Sequence, residues 1–223
     1  MQQQAGTMPH IAPSYGAPML TQLRAATAAA HARTEAIPAL LRLMTPGLTR
    51  AEYGVALRGL LVFQAALHRV LPLRLVRLGI DFPLPEARLA SLRADLQWLG
   101  APLPPASRHP LAVGRGAAAV GALYVLEGSA LGGRVIGRHV QQTLGVTPGR
   151  GGDFFCGQDA EAARRRWAEL CAVLARLPET QTKRVTQGAL AAFAFLDHVF
   201  TPRSPDGRLA KTDTAALAAL TNY

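Results

Sequence analysis

Apolar residues along this chain recur at three- and four-residue steps, and the runs are interrupted by proline and glycine. That pattern belongs to helices packed on one side, not to strands, whose apolar positions alternate. A first helix is predicted from about Leu20 to Ala36, where apolar and small residues continue until Pro38 stops them. Thr45-Pro46-Gly47 reads as a turn. Thr49 with Glu52 three residues on is a capping box, in which each side chain satisfies a free backbone donor. Tyr53, Leu57, Leu60, Leu61 and Leu67 then follow at helical spacing. A third helix fits Pro85 to Leu99, with Pro in its first turn and Gly100 past its end. Residues 101–110 form a Pro-rich connector. A long fourth helix fits Leu111 to about Leu144, closed by Gly145. The glycine-rich stretch 146–157 reads as a loop, Asp159 caps a fifth helix reaching Leu177, and Pro178-Glu179 opens a sixth ending near Phe200. The expected architecture is one all-α bundle over residues 19–201. It is preceded by a Gln-, Pro- and Gly-rich leader (1–18) and followed by a polar tail (202–223) with room for a short helix at 213–221.

Composition sharpens this. Of the 223 residues, 49% are apolar, which excludes wholesale disorder, and Ala and Leu dominate them, which favours helices. The net charge of +10 is carried almost wholly by Arg; it reads either as composition drift in a GC-rich genome or as affinity for anions, whether nucleic acid, anionic lipid, an acidic partner or an acidic ligand. No zinc-finger, homeodomain or RNA-binding signature accompanies the charge, so no nucleic acid is expected. Cys156 and Cys171 form neither CxxC nor CxxCH, and two lone thiols suit a reducing cytoplasm. The start lacks a basic segment followed by an apolar run, and the longest apolar stretch, Ala117 to Leu126, is too short to span a bilayer. A cytoplasmic protein with no membrane partner is therefore expected.

Two elements carry candidate chemistry. The fourth helix holds Gly121, Gly128, Gly132, Gly133 and Gly137. Each interior glycine costs roughly 0.5–1 kcal/mol relative to Ala. Gly121, Gly128 and Gly132 lie seven and four residues apart and share one side of the helix. Such a bare face suits either close helix packing or a large planar ligand. The first helix carries Arg24, Thr27, His31 and Glu35 at three- and four-residue steps, a polar stripe. His31 is either a solvated surface histidine or a neutral metal ligand, with Glu35 within reach to fix its tautomer.

Together, L-R-x-x-T-x-x-x-H-x-x-x-E near the start and G-A-L-Y-V-L-E-G-S-A-L-G-G at 121–133 resemble the haem oxygenases, most closely the bacterial group found beside bacteriophytochromes. The resemblance covers about residues 20–200. It implies the haem oxygenase helical fold and oxidative cleavage of haem, which is both substrate and cofactor, to biliverdin, carbon monoxide and ferrous iron. It implies His31 as the proximal iron ligand, and Gly128, Ser129, Gly132 and Gly133 on the distal helix. It also implies Arg24 and Arg165 as partners of the haem propionates, and Phe193 as an aromatic near the haem edge. Ser129 stands where some members carry an Asp that orders pocket water, and Arg134 where a Gln is common. These departures bear on the water network. No flavin, nicotinamide or iron–sulfur motif is present, so electrons must come from a partner; an acidic ferredoxin or flavodoxin suits the basic charge. A bacteriophytochrome is the implied acceptor of biliverdin. The alternatives are a non-catalytic haem carrier or sensor on the same fold, and a thiamine-type or di-iron relative, the last opposed by the lack of paired Glu-x-x-His motifs. His68, His109, His139 and His198 read as surface or satisfied core residues, and Arg164-Arg165-Arg166 as a solvated helix face. Trp98, Trp167, Cys156 and Cys171 read as packing residues.

Overall fold

A computed structural model describes residues 18–105 and 110–201. Almost all of the expected leader, the whole of the expected tail with its short helix, and His109 lie outside the described residues. Helix α1 is Pro18–Glu35, α2 Pro38–Leu41, α3 Arg50–Val76, α4 Ala87–Trp98, α5 Ala118–Leu144, α6 Asp153–Cys156, α7 Ala160–Arg176 and α8 Thr182–Phe200. Short 3-10 turns precede α3 and α8, at Arg42–Met44 and Glu179–Gln181. No strand occurs among the described residues, only isolated bridges at Thr147.

Local sequence explains most boundaries. Thr49 and Glu52 cap α3 reciprocally, and the Asp159 carboxylate accepts the Glu161 N–H at 2.8 Å to start α7. Gly145, with φ of 69°, terminates α5. The expectation of a helix from Leu111 fails: the chain is irregular until Ala118. Gly116 adopts φ of 63° there, which breaks the helical path. The stretch 146–157 contains the short α6 that its glycines conceal, and Pro38 opens α2 as well as following α1.

Helix α5 is the axis of the bundle and packs on α8, α7, α3 and α6, while α1 packs on α8 and α7. One core joins α1, α3, α5, α7 and α8 through Leu20, Leu23, Phe63, Leu67, Leu123, Leu170 and Phe193. A second joins α3, α4, α5 and α6 through Tyr53, Leu57, Leu92, Leu96, Val140 and Phe155. Each such side chain contributes about 1.5–3 kcal/mol by leaving water. By length and composition α3 and α5 could cross a membrane, but half or more of their most apolar stretches is buried inside the fold. They serve as core helices here.

Candidate functional site

Helix α1 buries Met19, Leu20, Leu23, Thr27 and Ala30 and leaves His31 facing outward, its side chain 62% exposed. Nδ1 of His31 lies 3.5 Å from Oε1 of Glu35, one turn on. On its inner side the imidazole meets Phe193 of α8 edge-on, with ring centroids 6.1 Å apart. Phe193 is itself buried. The structure thus brings His31, Glu35 and Phe193 together. Thr27 does not belong to the exposed stripe that its spacing suggests: it is buried, and its hydroxyl donates to the Leu23 carbonyl at 2.8 Å. Arg24 is exposed. It stands close enough to α7 that its charge acts on Cys171, whose thiol is pushed up by burial and drawn back by Arg24. Arg165, on α7, is also exposed and holds Asp159 and Glu161 only loosely, at 3.9 Å each.

The glycines of α5 divide into two groups. A Cβ on Gly121 would overlap the Val185 carbonyl of α8, and one on Gly188 of α8 would overlap the Ala118 carbonyl of α5. A Cβ on Gly137 would fall 2.5 Å from the Phe155 carbonyl oxygen. These positions serve backbone-to-backbone packing, so the expectation that Gly121 shares a ligand-facing surface with Gly128 and Gly132 is wrong. Gly133 is buried, and a Cβ on it would be in ordinary contact with the Phe155 ring and Gln158, at 3.5 and 3.6 Å. A Cβ on Gly128 would touch Trp167 at 3.6 Å, and one on Gly132 would meet nothing within 4 Å. Packing does not require glycine at Gly132. Ser129 is exposed, and its hydroxyl donates back to the Leu126 carbonyl at 2.6 Å.

Beside this helix lies a buried polar cluster that the sequence reading missed. Glu127, next to Gly128, is 5% exposed and receives both guanidinium arms of Arg166 at 2.7 and 3.0 Å. Arg166 also donates to the Pro83 carbonyl and stacks on Phe82, so it is an anchor and not a member of a solvated face. Arg88 donates to Gln64 at 3.4 Å, and burial pushes its guanidinium down to about 10, with Glu127 acting the other way. His68, one turn after Gln64 on α3, is buried rather than satisfied. Its Nδ1 lies 3.4 Å from Glu86, and its Nε2 is buried without a protein partner. Burial lowers the His68 pKa and so favours the neutral ring, and Glu86 opposes it. The signal was available: a Gln and a His one turn apart on a helix with an apolar face, and a Glu within the apolar run of α5.

The other candidates behave as packing residues. Trp167 tilts against Tyr124 at 5.7 Å, and Trp98 carries the Arg50 guanidinium on its ring. Cys156 and Cys171 are half-buried, and burial pushes both thiols up, away from reactivity. His139 Nε2 lies 3.2 Å from the Thr45 carbonyl. Among the described residues no group of three or more His, Cys, Asp or Glu could hold a metal ion, so a di-iron carboxylate centre has no ligand set there. An open groove of about 660 Å³ runs beside Arg58, Gly59 and Val62 of α3, and His31 does not line it.

On α1 an outward imidazole stands with a carboxylate beside it, and α5 has an edge without side chain at Gly132. Both helices pack on α7 and α8. Solved structures share this fold. A solved haem oxygenase from Neisseria meningitidis, bound to NO and CO, is similar at 22% identity and a TM-score of 0.65 over 90% of this chain and 98% of its own. A haem oxygenase from Leptospira interrogans follows at 19% identity and 0.62 over 82% and 98%. Haem oxygenase-1 from the cyanobacterium Synechocystis, in complex with haem, follows at 18% and 0.59 over 91% and 95%. These likenesses establish the fold. A search of curated proteins finds no significant sequence match. The family model described as Heme oxygenase matches residues 17–202, nearly all of the described helices, and the chain belongs to the haem oxygenase family.

Proposed function

We propose that this protein is a biliverdin-producing haem oxygenase. It cleaves haem to biliverdin, carbon monoxide and ferrous iron, using dioxygen and electrons from a partner. The observation that carries the reading is an outward His31 with Glu35 and Phe193 beside it; the unobstructed edge of Gly132 on α5, a helix that like α1 packs on α7 and α8, supports it. Bound haem supplies the iron at which dioxygen is activated. His31 would ligate that iron as a neutral imidazole, and Glu35, beside Nδ1, would fix its tautomer. Phe193 limits the rotation of the ring. Gly132, with Gly128 a turn before it and Gly133 beside it, would let the backbone of α5 come close to bound haem. Ser129, already bonded to its own helix, is at most a weak donor to ordered water. Arg24 and Arg165 are free enough in their exposed positions to meet the haem propionates.

Residues 19–201 form the catalytic domain in this reading, with 1–18 and 202–223 as flanking segments. A reducing, cytoplasmic setting suits the two free thiols. An acidic ferredoxin or flavodoxin is the electron donor that best fits a net charge of +10, and a bacteriophytochrome is the acceptor that the sequence resemblance suggests.

The test is to add haemin to the purified protein, then a reductant under air. The bound-haem spectrum should convert to that of biliverdin. Persistence of the haem spectrum through repeated reduction would identify a carrier or sensor instead. His31→Ala should lose the axial ligand field and most turnover, with added imidazole restoring some of the ligand field. An unchanged ferric spectrum in that variant would assign the ligand elsewhere.

A further inference from the structure

The second half of α5 is poor in intrinsic helix stability. Gly128, Gly132, Gly133 and Gly137 each weaken it relative to alanine, so that stretch is held in place from outside. Its front is fixed by the Gly121–Gly188 crossing with α8 and by Glu127 on Arg166. Its back is fixed by α6. The Phe155 carbonyl sits against the backbone of Gly137, the Phe155 ring lies beside Gly133, and Cys156 Sγ donates to the Gly137 carbonyl at 3.4 Å. Contacts this tight pass a displacement of α6 directly to α5.

Helix α6 has four residues, too few to be stable alone. Its position comes from Asp95 of α4, a fully buried carboxylate. Oδ1 accepts the Asp153 N–H and Oδ2 the Phe154 N–H, each at 2.8 Å, so both oxygens are engaged by two successive amides at the start of α6. The surrounding turn is tied by Tyr53, whose hydroxyl donates to the Gly151 carbonyl at 3.1 Å, and by Asp153, which accepts the Gly149 N–H at 2.8 Å. Arg88 of the buried polar cluster lies over the Phe154 ring, 5.0 Å from its centroid.

We propose that Asp95 is a positioning residue for the reaction: it clamps α6 against Gly133 and Gly137 and so sets where the Gly132 edge of α5 stands. The clamp follows from the contacts above; its catalytic consequence rests on the function proposed for the protein. Retaining a charge-bearing carboxyl in a dry site fits this role, because a carboxylate can accept two amides with its two oxygens, whereas an amide side chain offers one acceptor and turns an N–H toward the other donor.

The experiment compares Asp95→Asn, Asp95→Ala and Leu71→Ala. Leu71, which α3 contributes to the other core, serves as a control for general destabilisation. Amide hydrogen exchange is followed in the haem-free proteins. In Asp95→Asn, amides of residues 132–137 should exchange about tenfold faster or more, while those of 118–126 change far less. Leu71→Ala should not single out 132–137. In the haem-loaded proteins Asp95→Asn should lower kcat for biliverdin formation roughly tenfold with haem Kd within about threefold, a split that general destabilisation does not produce. Exchange that rises equally throughout α5, as in the control, would overturn the clamp. Local loosening with wild-type kcat would overturn its role in the reaction. If Asp95→Asn does not fold, Asp95→Ala, which removes the acceptor without introducing an opposed donor, carries the same comparison. A wild-type protein that binds no haem would overturn the functional reading and the catalytic half of this proposal, while the exchange data still decide the clamp.

Discussion

Gly121 of α5 is seated directly on the Val185 carbonyl of α8, whereas Gly132, three turns further along α5, faces nothing that a Cβ would reach. Two glycines that look alike in sequence therefore respond to alanine with opposite sign. Gly121→Ala must push the α5 and α8 backbones apart, and the fold should lose about 3 kcal/mol or more. Gly132→Ala has room and should gain about 0.5–1 kcal/mol of helix stability. Urea unfolding monitored by circular dichroism reads both. Equal destabilisation would mean that Gly132 is also a packing glycine, and the case for a ligand beside it would fall.

Ser129 donates to the Leu126 carbonyl, an acceptor within its own helix. Ser129→Ala should therefore have only the effect of one neutral hydrogen bond, about 0.5–1.5 kcal/mol in the barrier, or a two- to tenfold loss of rate. Single-turnover conversion of haem to biliverdin measures it. A hundredfold loss would make Ser129 the main organiser of distal water.

The Glu127–Arg166 pair is inside the fold, with side-chain exposures of 6% and 21%. Removing one partner leaves a buried charge unpaired, so Arg166→Met or Glu127→Gln should cost about 3–5 kcal/mol, whereas the apolar double variant Arg166→Met with Glu127→Leu should recover much of that loss. A double-mutant cycle in chemical denaturant gives the coupling. Independent, small effects would return Arg166 to the solvated face that its Arg-rich neighbourhood suggests.

Stability should respond to acid through two carboxyls of opposite sign. Glu52 is drawn down to about 2 by the Arg42 hydrogen bond, with Thr49 assisting and burial opposing. Its contribution is present above its unfolded pKa, near 4.5, and is lost as pH falls from there toward 2. Because the side chain is a third exposed, solvent screening limits the effect to about 1 kcal/mol. Asp95 is pushed up to about 6 by burial, against the pull of the Phe154 and Asp153 amides. Its contribution is greatest below its unfolded pKa, near 3.8, and falls as pH rises through 6. Urea midpoints from pH 2.5 to 7 should show a shallower acid loss in Glu52→Gln and no decline from this group between pH 4 and 6 in Asp95→Asn. Parallel curves for wild type and both variants would refute both assignments.

What the sequence disclosed followed how local its causes were. The Thr49–Glu52 box, the Asp159 cap and the Gly145 stop are written within a few residues, and the structure has each of them. The start of α5 is not legible because Leu111 and Val113 are apolar and buried yet not helical, and nothing apolar in the pattern marks the turn at Gly116. Thr27 falls in the exposed stripe by spacing alone, because spacing gives an angle around a helix but not which neighbour covers it. The polar cluster of Gln64, His68, Arg88, Glu127 and Arg166 escapes for the same reason. Its members come from four helices, and only tertiary packing assembles them. Asp95 gives no local signal either, since its partners are amides 58 and 59 positions away.

On the function proposed for the protein, the outward stance of His31 also bears on how quickly it can be charged with substrate. A ring whose side chain is 62% exposed would need no helix to swing aside, and loading would be an encounter problem. A dianionic porphyrin approaching a body of net charge +10 is drawn in over a distance set by the ionic atmosphere. Association should then be fast in dilute buffer and slow steeply as salt is added, and a site open enough to admit haem would also leave the product a way out.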